Sequence, residues 1–168
     1  MLFQGEEWGA TSPFLYFTDH EDRELGRNVT QGRRREFAAF GWNPEEIPDP
    51  QAVDTFDCCK LNWSESDREP HSSLLAWHRR LIQLRREIPA LSDGCVEGVR
   101  VGFDKTAKWF VVKRGPVVVA CNLNQITQRV PVDIDPASRL LLTSADKVQL
   151  SQNTVELPPD SVAILSAH

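Results

Sequence analysis

The chain has no apolar run approaching the roughly 20 residues that cross a bilayer. It also lacks a basic and then apolar leader at its start, so neither a membrane span nor secretion is expected, and a cytoplasmic location is. It has little net charge, −5 over 168 residues. That acidic balance argues against a nucleic-acid partner held through phosphates. It has few cysteines, four, with Cys58 and Cys59 adjacent and Cys95 and Cys121 isolated. No pair has the C-x-x-C spacing of zinc or redox sites, so no metal and no cofactor is expected. Reduced thiols are the expectation, and a Cys95–Cys121 disulfide stays open. No internal repeat and no low-complexity tract occurs.

What is present divides near residue 90. Acidic residues outnumber basic ones before it and balance them after it, and most of the aromatic residues precede it. The second half reads as β. Lys108–Arg114 (KWFVVKR) and Pro116–Leu123 (PVVVACNL) are rich in β-branched and aromatic residues, with a Gly115-Pro116 turn signal between them. Five shorter runs follow: Gln128–Val132, Arg139–Thr143, Val148–Leu150, Thr154–Leu157 and Ser161–Ser166. Short strands with frequent turn signals predict a small antiparallel sandwich or barrel. No catalytic cluster is visible in it.

The first half contains one strong helix pattern. Leu74, Trp77, Leu81, Leu84 and Ile88 recur every three or four residues, widened by Leu75 and Ile82. Ser72 or Ser73 is the expected N-cap and Pro89 the stop. A second helix is expected over about Arg23–Phe40. Between them, Gly41–Pro70 reads as a long loop, ordered by Trp42, Phe56 and Trp63. Met1–Gln4 reads as a strand buried on both faces, which suits a parallel sheet. Nothing downstream before residue 96 could supply a parallel neighbour, so either this strand reading fails or its neighbours lie upstream of Met1. Strand, elaborate loop and amphipathic helix together have the form of one unit of a (β/α)8 barrel, whose loops after the strands build active sites. Glu6, Glu7, Trp8, Asp19 and His20 would lie on that face, and Tyr16 is a further candidate for sugar contact.

Each candidate also has a plainer reading. Adjacent acids on an extended strand point to opposite faces, so Glu6 and Glu7 would not flank one bond. Trp8 and Tyr16 can simply pack. Asp19 and His20 can cap the helix that follows. Arg33–Arg35 can be a solvated helix face, and His71 and His78 structural.

Longer stretches carry a resemblance. MLFQGEEWGATSPFLYFTDH (Met1–His20), GRRREFAAFGW (Gly32–Trp42) and EEIPDPQAVDTFDCCKLNW (Glu45–Trp63) resemble segments of malto-oligosyltrehalose trehalohydrolases. LLAWHRRLIQLRREIPAL (Leu74–Leu91) is similar to the final barrel helix of the α-amylase superfamily, glycoside hydrolase family 13. The resemblance implies an α+β chain: the last β/α unit of a TIM barrel over 1–89, then an all-β C-terminal sandwich over 90–168. In that reading the helical stripe packs under the barrel and onto the β domain.

The activity it implies is hydrolysis of the α-1,4-glucosidic bond next to the terminal trehalose of maltooligosyl-trehalose, releasing trehalose. The superfamily uses an Asp nucleophile, a Glu general acid/base and a second Asp that stabilises the transition state. The family places all three upstream of the segment matched by Met1, and no N-H-D segment occurs here. No catalytic residue is therefore assigned to this chain, and alone it is expected to be inactive. The oligosaccharide and the missing N-terminal part of the barrel are its implied partners. Two alternatives remain at this level: a non-catalytic glucan-binding or interaction module, and a fragment of another relative such as a branching enzyme.

Overall fold

A computed structural model describes residues 1–166. It is an α+β chain whose strand pairings are all antiparallel. It divides into two compact units, Met1–Ala76 and Trp77–His168. Among the described residues, no helix is long and apolar enough to cross a membrane.

The first unit is built on α1 (Arg23–Ala38) and a set of short helical turns. Asp22 starts α1: its carboxylate accepts the N–H groups of Glu24 (2.8 Å) and Leu25 (3.2 Å). That satisfies two of the four donors that a helix start leaves unpaired. The cap is thus Asp22, not the expected Asp19–His20 pair, because only Asp22 sits directly before the first helical turn.

The predicted strand at Met1–Gln4 does not form. Met1, Leu2 and Phe3 are exposed, and Gln4–Gly9 is a compact turn with Gln4, Gly5 and Gly9 at positive φ. A strand needs a hydrogen-bonded neighbour, and no described segment pairs with these residues. Glu6 and Glu7 accordingly lie on a turn rather than an extended strand end. The expected loop Gly41–Pro70 is ordered and carries three helical pieces: Pro44–Glu46, α2 (Val53–Asp57) and Trp63–Asp67. Ring contacts tie its aromatics to the rest of the unit, as Trp63 to Trp8 (5.1 Å between centroids), Phe56 to Phe17 (5.1 Å) and Trp42 to Phe37 (5.2 Å).

Helix α3 (His71–Glu87) follows Pro70. The expected serine N-cap is replaced by Glu69, because Ser72 and Ser73 already lie inside the helix. The Glu69 carboxylate accepts from the Ser72 hydroxyl and from the Ser73 hydroxyl and N–H, and these bonds hold it below the usual carboxylate range.

Among the described residues, the second unit holds eight strands in two sheets. Strands β1 (Val99–Asp104), β2 (Trp109–Arg114), β3 (Val117–Asn122), β8 (Ser161–Ser166) and β5 (Arg139–Thr143) form the larger, in that spatial order. Strands β4 (Gln128–Pro131), β7 (Thr154–Leu157) and β6 (Gln149–Ser151) form the smaller. Strand β1 was not expected. Its Arg100, Gly102 and Asp104 break the β-propensity signal, and only its pairing with β2 makes it a strand.

Val118, Ala120, Ala163 and Leu165 from the large sheet meet Val130, Val155 and Leu157 from the small one in a single buried cluster. The other face of the large sheet receives the end of α3. Leu84, 3% exposed, packs with Val117 and Ile164, flanked by Leu81 and Ile88. The apolar periodicity of α3 therefore finds its partner in β3 and β8. Asn122 closes one end of the core. Its buried amide Nδ2 donates towards the carbonyls of Ile126 (2.9 Å), Leu157 (3.0 Å) and Pro158 (2.8 Å), while Oδ1 accepts from Asn124 N–H (2.9 Å). All four cysteines are free thiols, so the open alternative of a Cys95–Cys121 bridge is not realised.

Candidate functional site

The polar groups of the first unit converge on Asp49-Pro50-Gln51. The chain turns there because Pro48 and Pro50 prevent a continuous helix and because Asp49 caps the turn. Its carboxylate accepts the Gln51 N–H (3.0 Å), and its own carbonyl accepts from the Thr55 hydroxyl (2.7 Å). Thr30, on the inner face of α1, donates its hydroxyl to the same carboxylate at 2.6 Å. Gly26, one turn earlier, leaves room for the Gln51 side chain. A Cβ there would meet Gln51 Nε2 at 2.8 Å, so no other residue fits without moving it.

Gln51 then clamps the segment that precedes α1. Its Oε1 accepts from the Thr18 hydroxyl (2.5 Å) and the His20 N–H (3.1 Å), and its Nε2 donates to the His20 carbonyl (3.2 Å). A backbone bond from Thr18 N–H to the Pro50 carbonyl (2.8 Å) adds to the clamp. One side chain thus holds Thr18 and His20 by three hydrogen bonds, two of them to the His20 backbone.

Two hollows flank this clamp. One, of about 450 Å³, is lined by His20, Arg23, Arg27, Arg34 and Asp49 among others. The other, of about 390 Å³, is lined by Phe17, Asp19, Val53 and Phe56, and Gln51 borders both. Asp49 is held below the usual carboxylate range, first by the Thr30 hydroxyl, then by the Gln51 N–H, with Arg34 assisting and burial opposing. An acid kept ionised in this way is the reverse of the raised carboxyl that protonates a leaving group. The arrangement positions polar groups; it has no acid–nucleophile pair. Among the described residues, no three His, Cys, Asp or Glu side chains are grouped to hold a metal ion.

The sequence candidates fall into two places. Asp19 and His20 lie in the clamped segment, and Tyr16 lies two residues before it. Asp19 is exposed, His20 half-buried, and Tyr16 half-exposed beneath the Arg33 guanidinium, 4.9 Å from its ring centroid. Arg33 also lies 4.6 Å from the Phe37 ring, so it is not simply a solvated residue, unlike the exposed Arg34 and Arg35. Glu6, Glu7 and Trp8 form the separate Gln4–Gly9 turn. Trp8 is buried, 3% exposed, against Trp63, and its carbonyl lies 2.8 Å from His71 Nδ1. Its indole ring packs there, with Nε1 buried and without a hydrogen-bond partner among the described residues. Near it, the Glu65 carboxylate takes the Thr11 hydroxyl and N–H, which lower its pKa, and so ties the next stretch of chain to Trp63–Asp67. Sequence reasoning missed Asp49, Gln51, Thr30 and Gly26. The available signal was the D-P-Q turn itself, which has capping chemistry at its first position.

A family described as a domain of unknown function (DUF3459) matches residues 97–164, which span β1 to most of β8. A malto-oligosyltrehalose trehalohydrolase of Mycobacterium tuberculosis is 41% identical over 167 residues, 99% of this chain and 28% of that protein. The enzyme of the same name from Rhizobium sp. is 43% identical over 98% of this chain and 27% of its own length. A crystal structure assigned as an alpha amylase from Salmonella typhimurium superposes with a TM-score of 0.76 at 30% identity, covering 98% of this chain and 27% of that one. A trehalulose synthase from Pseudomonas mesoacidophila shares the fold at a TM-score of 0.60 and 19% identity. The chain thus spans just over a quarter of the length of the curated relatives it matches, and through nearly all of its own residues it is similar to malto-oligosyltrehalose trehalohydrolases.

Proposed function

We propose that this chain is the C-terminal part of a glycoside hydrolase that releases trehalose from maltooligosyl-trehalose. The observation that carries the reading is identity of 41% running through both units rather than through the β unit alone. In this reading residues 1–89 are the last β/α portion of a (β/α)8 barrel, and residues 90–168 are a C-terminal β sandwich. The shared core of the two sheets supports the β sandwich, while the compact units divide earlier, after Ala76, because the second half of α3 packs on the large sheet. The three catalytic carboxylates of the superfamily belong to the upstream part of the barrel, so the chain alone does not hydrolyse the bond.

The role of the first unit is to line the cleft. Clamping of Thr18–His20 by Gln51 supports a contact role for Asp19 and His20, because a fixed backbone holds their side chains where substrate hydroxyls can meet them, and the Arg33 guanidinium over its ring supports one for Tyr16. Glu6 and Glu7 occupy the rim on the Gln4–Gly9 turn, with Trp8 packed beneath as its anchor. No cofactor is invoked.

A chimera tests this. The matching segment of the Mycobacterium tuberculosis relative is replaced by this chain, and trehalose release from maltotriosyl-trehalose is measured beside the isolated chain. The chimera is expected to release trehalose and the isolated chain none. Release by the isolated chain, or a folded chimera that binds the substrate without cleaving it, would overturn the reading.

A further inference from the structure

The β unit has a groove of its own. The large sheet has five strands and the small one three, and β4 packs against β2 and β3. The inner face of β1 and the near part of β2 therefore extend past the edge of the small sheet. There a groove of about 530 Å³ opens, with Trp109 on its floor and Arg100, Gly102, Lys113, Asp133 and Asn153 around it. Register explains the grouping. Arg100 pairs with Lys113, Gly102 with Val111 and Asp104 with Trp109, so side chains of alternate residues on both strands share this face. Trp109 is half-buried: part of the ring packs against the core cluster, and part lines the groove.

Two features make it more than a gap between sheets. The first is Gly102. Its φ is not in the left-handed region, so the backbone does not require glycine there. A Cβ built at this position would meet only the Trp109 ring, at an ordinary 3.7 Å. Glycine weakens a strand interior. What it does here is keep the indole uncovered. The second is the polar rim. Lys113 Nζ donates to Asp133 Oδ2 (2.5 Å) and to the Asp133 carbonyl (3.2 Å). Lys113 and, more weakly, Arg100 hold the Asp133 carboxyl below its usual range. With Lys113 already neutralised by Asp133, the rim offers mixed donors and acceptors rather than one sign of charge. An apolar ring flanked by such a rim matches a pyranose, whose C–H face stacks on aromatics while its hydroxyls reach outward. A strongly anionic ligand would meet Asp133.

We infer that this groove binds a short neutral oligosaccharide, with Trp109 as the stacking platform and Arg100, Lys113, Asp133 and Asn153 as hydroxyl partners. The site lies within the β unit and takes no part in bond cleavage. The choice of a glucose oligomer as ligand rests on the proposed function; the groove does not.

The test is calorimetric titration of the 168-residue chain with maltoheptaose, alongside Gly102→Val and Trp109→Ala. Saturable binding near the millimolar range is expected, the level of a small stacking site at about −4 kcal/mol. Gly102→Val is the sharper variant. It should raise or preserve the melting temperature, because valine favours the strand, yet weaken binding about tenfold or more by covering the ring. Trp109→Ala should weaken it similarly, and where loss of core packing unfolds that variant, Gly102→Val decides. No saturable binding by the parent, or binding by Gly102→Val within about twofold of the parent, overturns the inference. Neither result depends on trehalose release, so failure here and failure of the chimera are separate.

Discussion

Asn122 offers the most demanding test of the β unit. Its side chain is fully buried: the two N–H groups of Nδ2 are shared among three carbonyls of two different segments, and Oδ1 accepts from Asn124 N–H. It thereby ties the end of β3 to the end of β7 and to the turn before β4. Asn122→Ala leaves the Leu157 and Pro158 carbonyls and the Asn124 N–H without that partner. An unsatisfied buried group costs about 1–3 kcal/mol, and neighbouring losses do not add fully, so a total near 3 kcal/mol is expected. For a unit of this size that is a fall of roughly 12–24 °C in melting temperature. Asn122→Asp should cost more at neutral pH. It replaces a donor by a buried carboxylate facing three carbonyl oxygens, which raises the folded-state pKa above the unfolded value of about 3.9. For an acid whose folded pKa is raised, the penalty is complete above that pKa and is relieved as pH falls through it. The gap between Asn122→Asp and the parent should therefore narrow on acidification. Urea unfolding followed by far-ultraviolet circular dichroism at several pH values measures both. An Asn122→Ala variant within about 1 kcal/mol of the parent, or an Asn122→Asp variant whose penalty does not vary with pH, would refute the reasoning.

Two predictions concern the first unit. At Gly5, φ is +81° and an added Cβ would lie 2.7 Å from Ala10 Cβ and 3.0 Å from the Trp8 ring. Gly5→Ala should therefore destabilise the turn by about 2–4 kcal/mol, seen as earlier unfolding in urea and faster proteolysis before residue 76; unchanged stability would show that the turn is not held as described. Thr30→Val removes the hydroxyl that most lowers the Asp49 pKa. A carboxylate with a depressed folded pKa stabilises above its unfolded value of about 3.9 and loses that contribution as pH falls through the folded one. The variant should be about 1 kcal/mol less stable at neutral pH, converge on the parent in acid, and show Asp49 titrating at higher pH by carboxyl NMR.

Local order was legible where a short stretch carries its own reason. Strands β5, β7 and β8 were readable to the residue, because each is a β-branched or apolar run bounded by turn residues. The periodicity of α3 and the turn at Gly115 were equally plain. The resemblance to trehalose-releasing enzymes also rested on sequence alone, since it is a matter of residues in order.

What depended on distant partners was not legible. Met1–Gln4 has strand-like composition, but a strand exists only with a neighbour, and none is present among the described residues. Strand β1 has weak strand composition, yet pairing with β2 makes it one. The capping roles of Asp22, directly before α1, and of Glu69, two residues before α3, were decided by which side chain reaches the first turn, a matter of one or two positions that periodicity does not resolve. Gln51 looks like any loop glutamine until Gly26 admits its side chain and the Thr18–His20 backbone is placed beside it. The sequence alone determined the helix α3, most of the strands and the resemblance, because propensity, periodicity and motif are local properties. Only the tertiary structure decided the sheet order, the buried Asn122, the Gln51 clamp and the groove over Trp109, because each is made by residues that folding brings together.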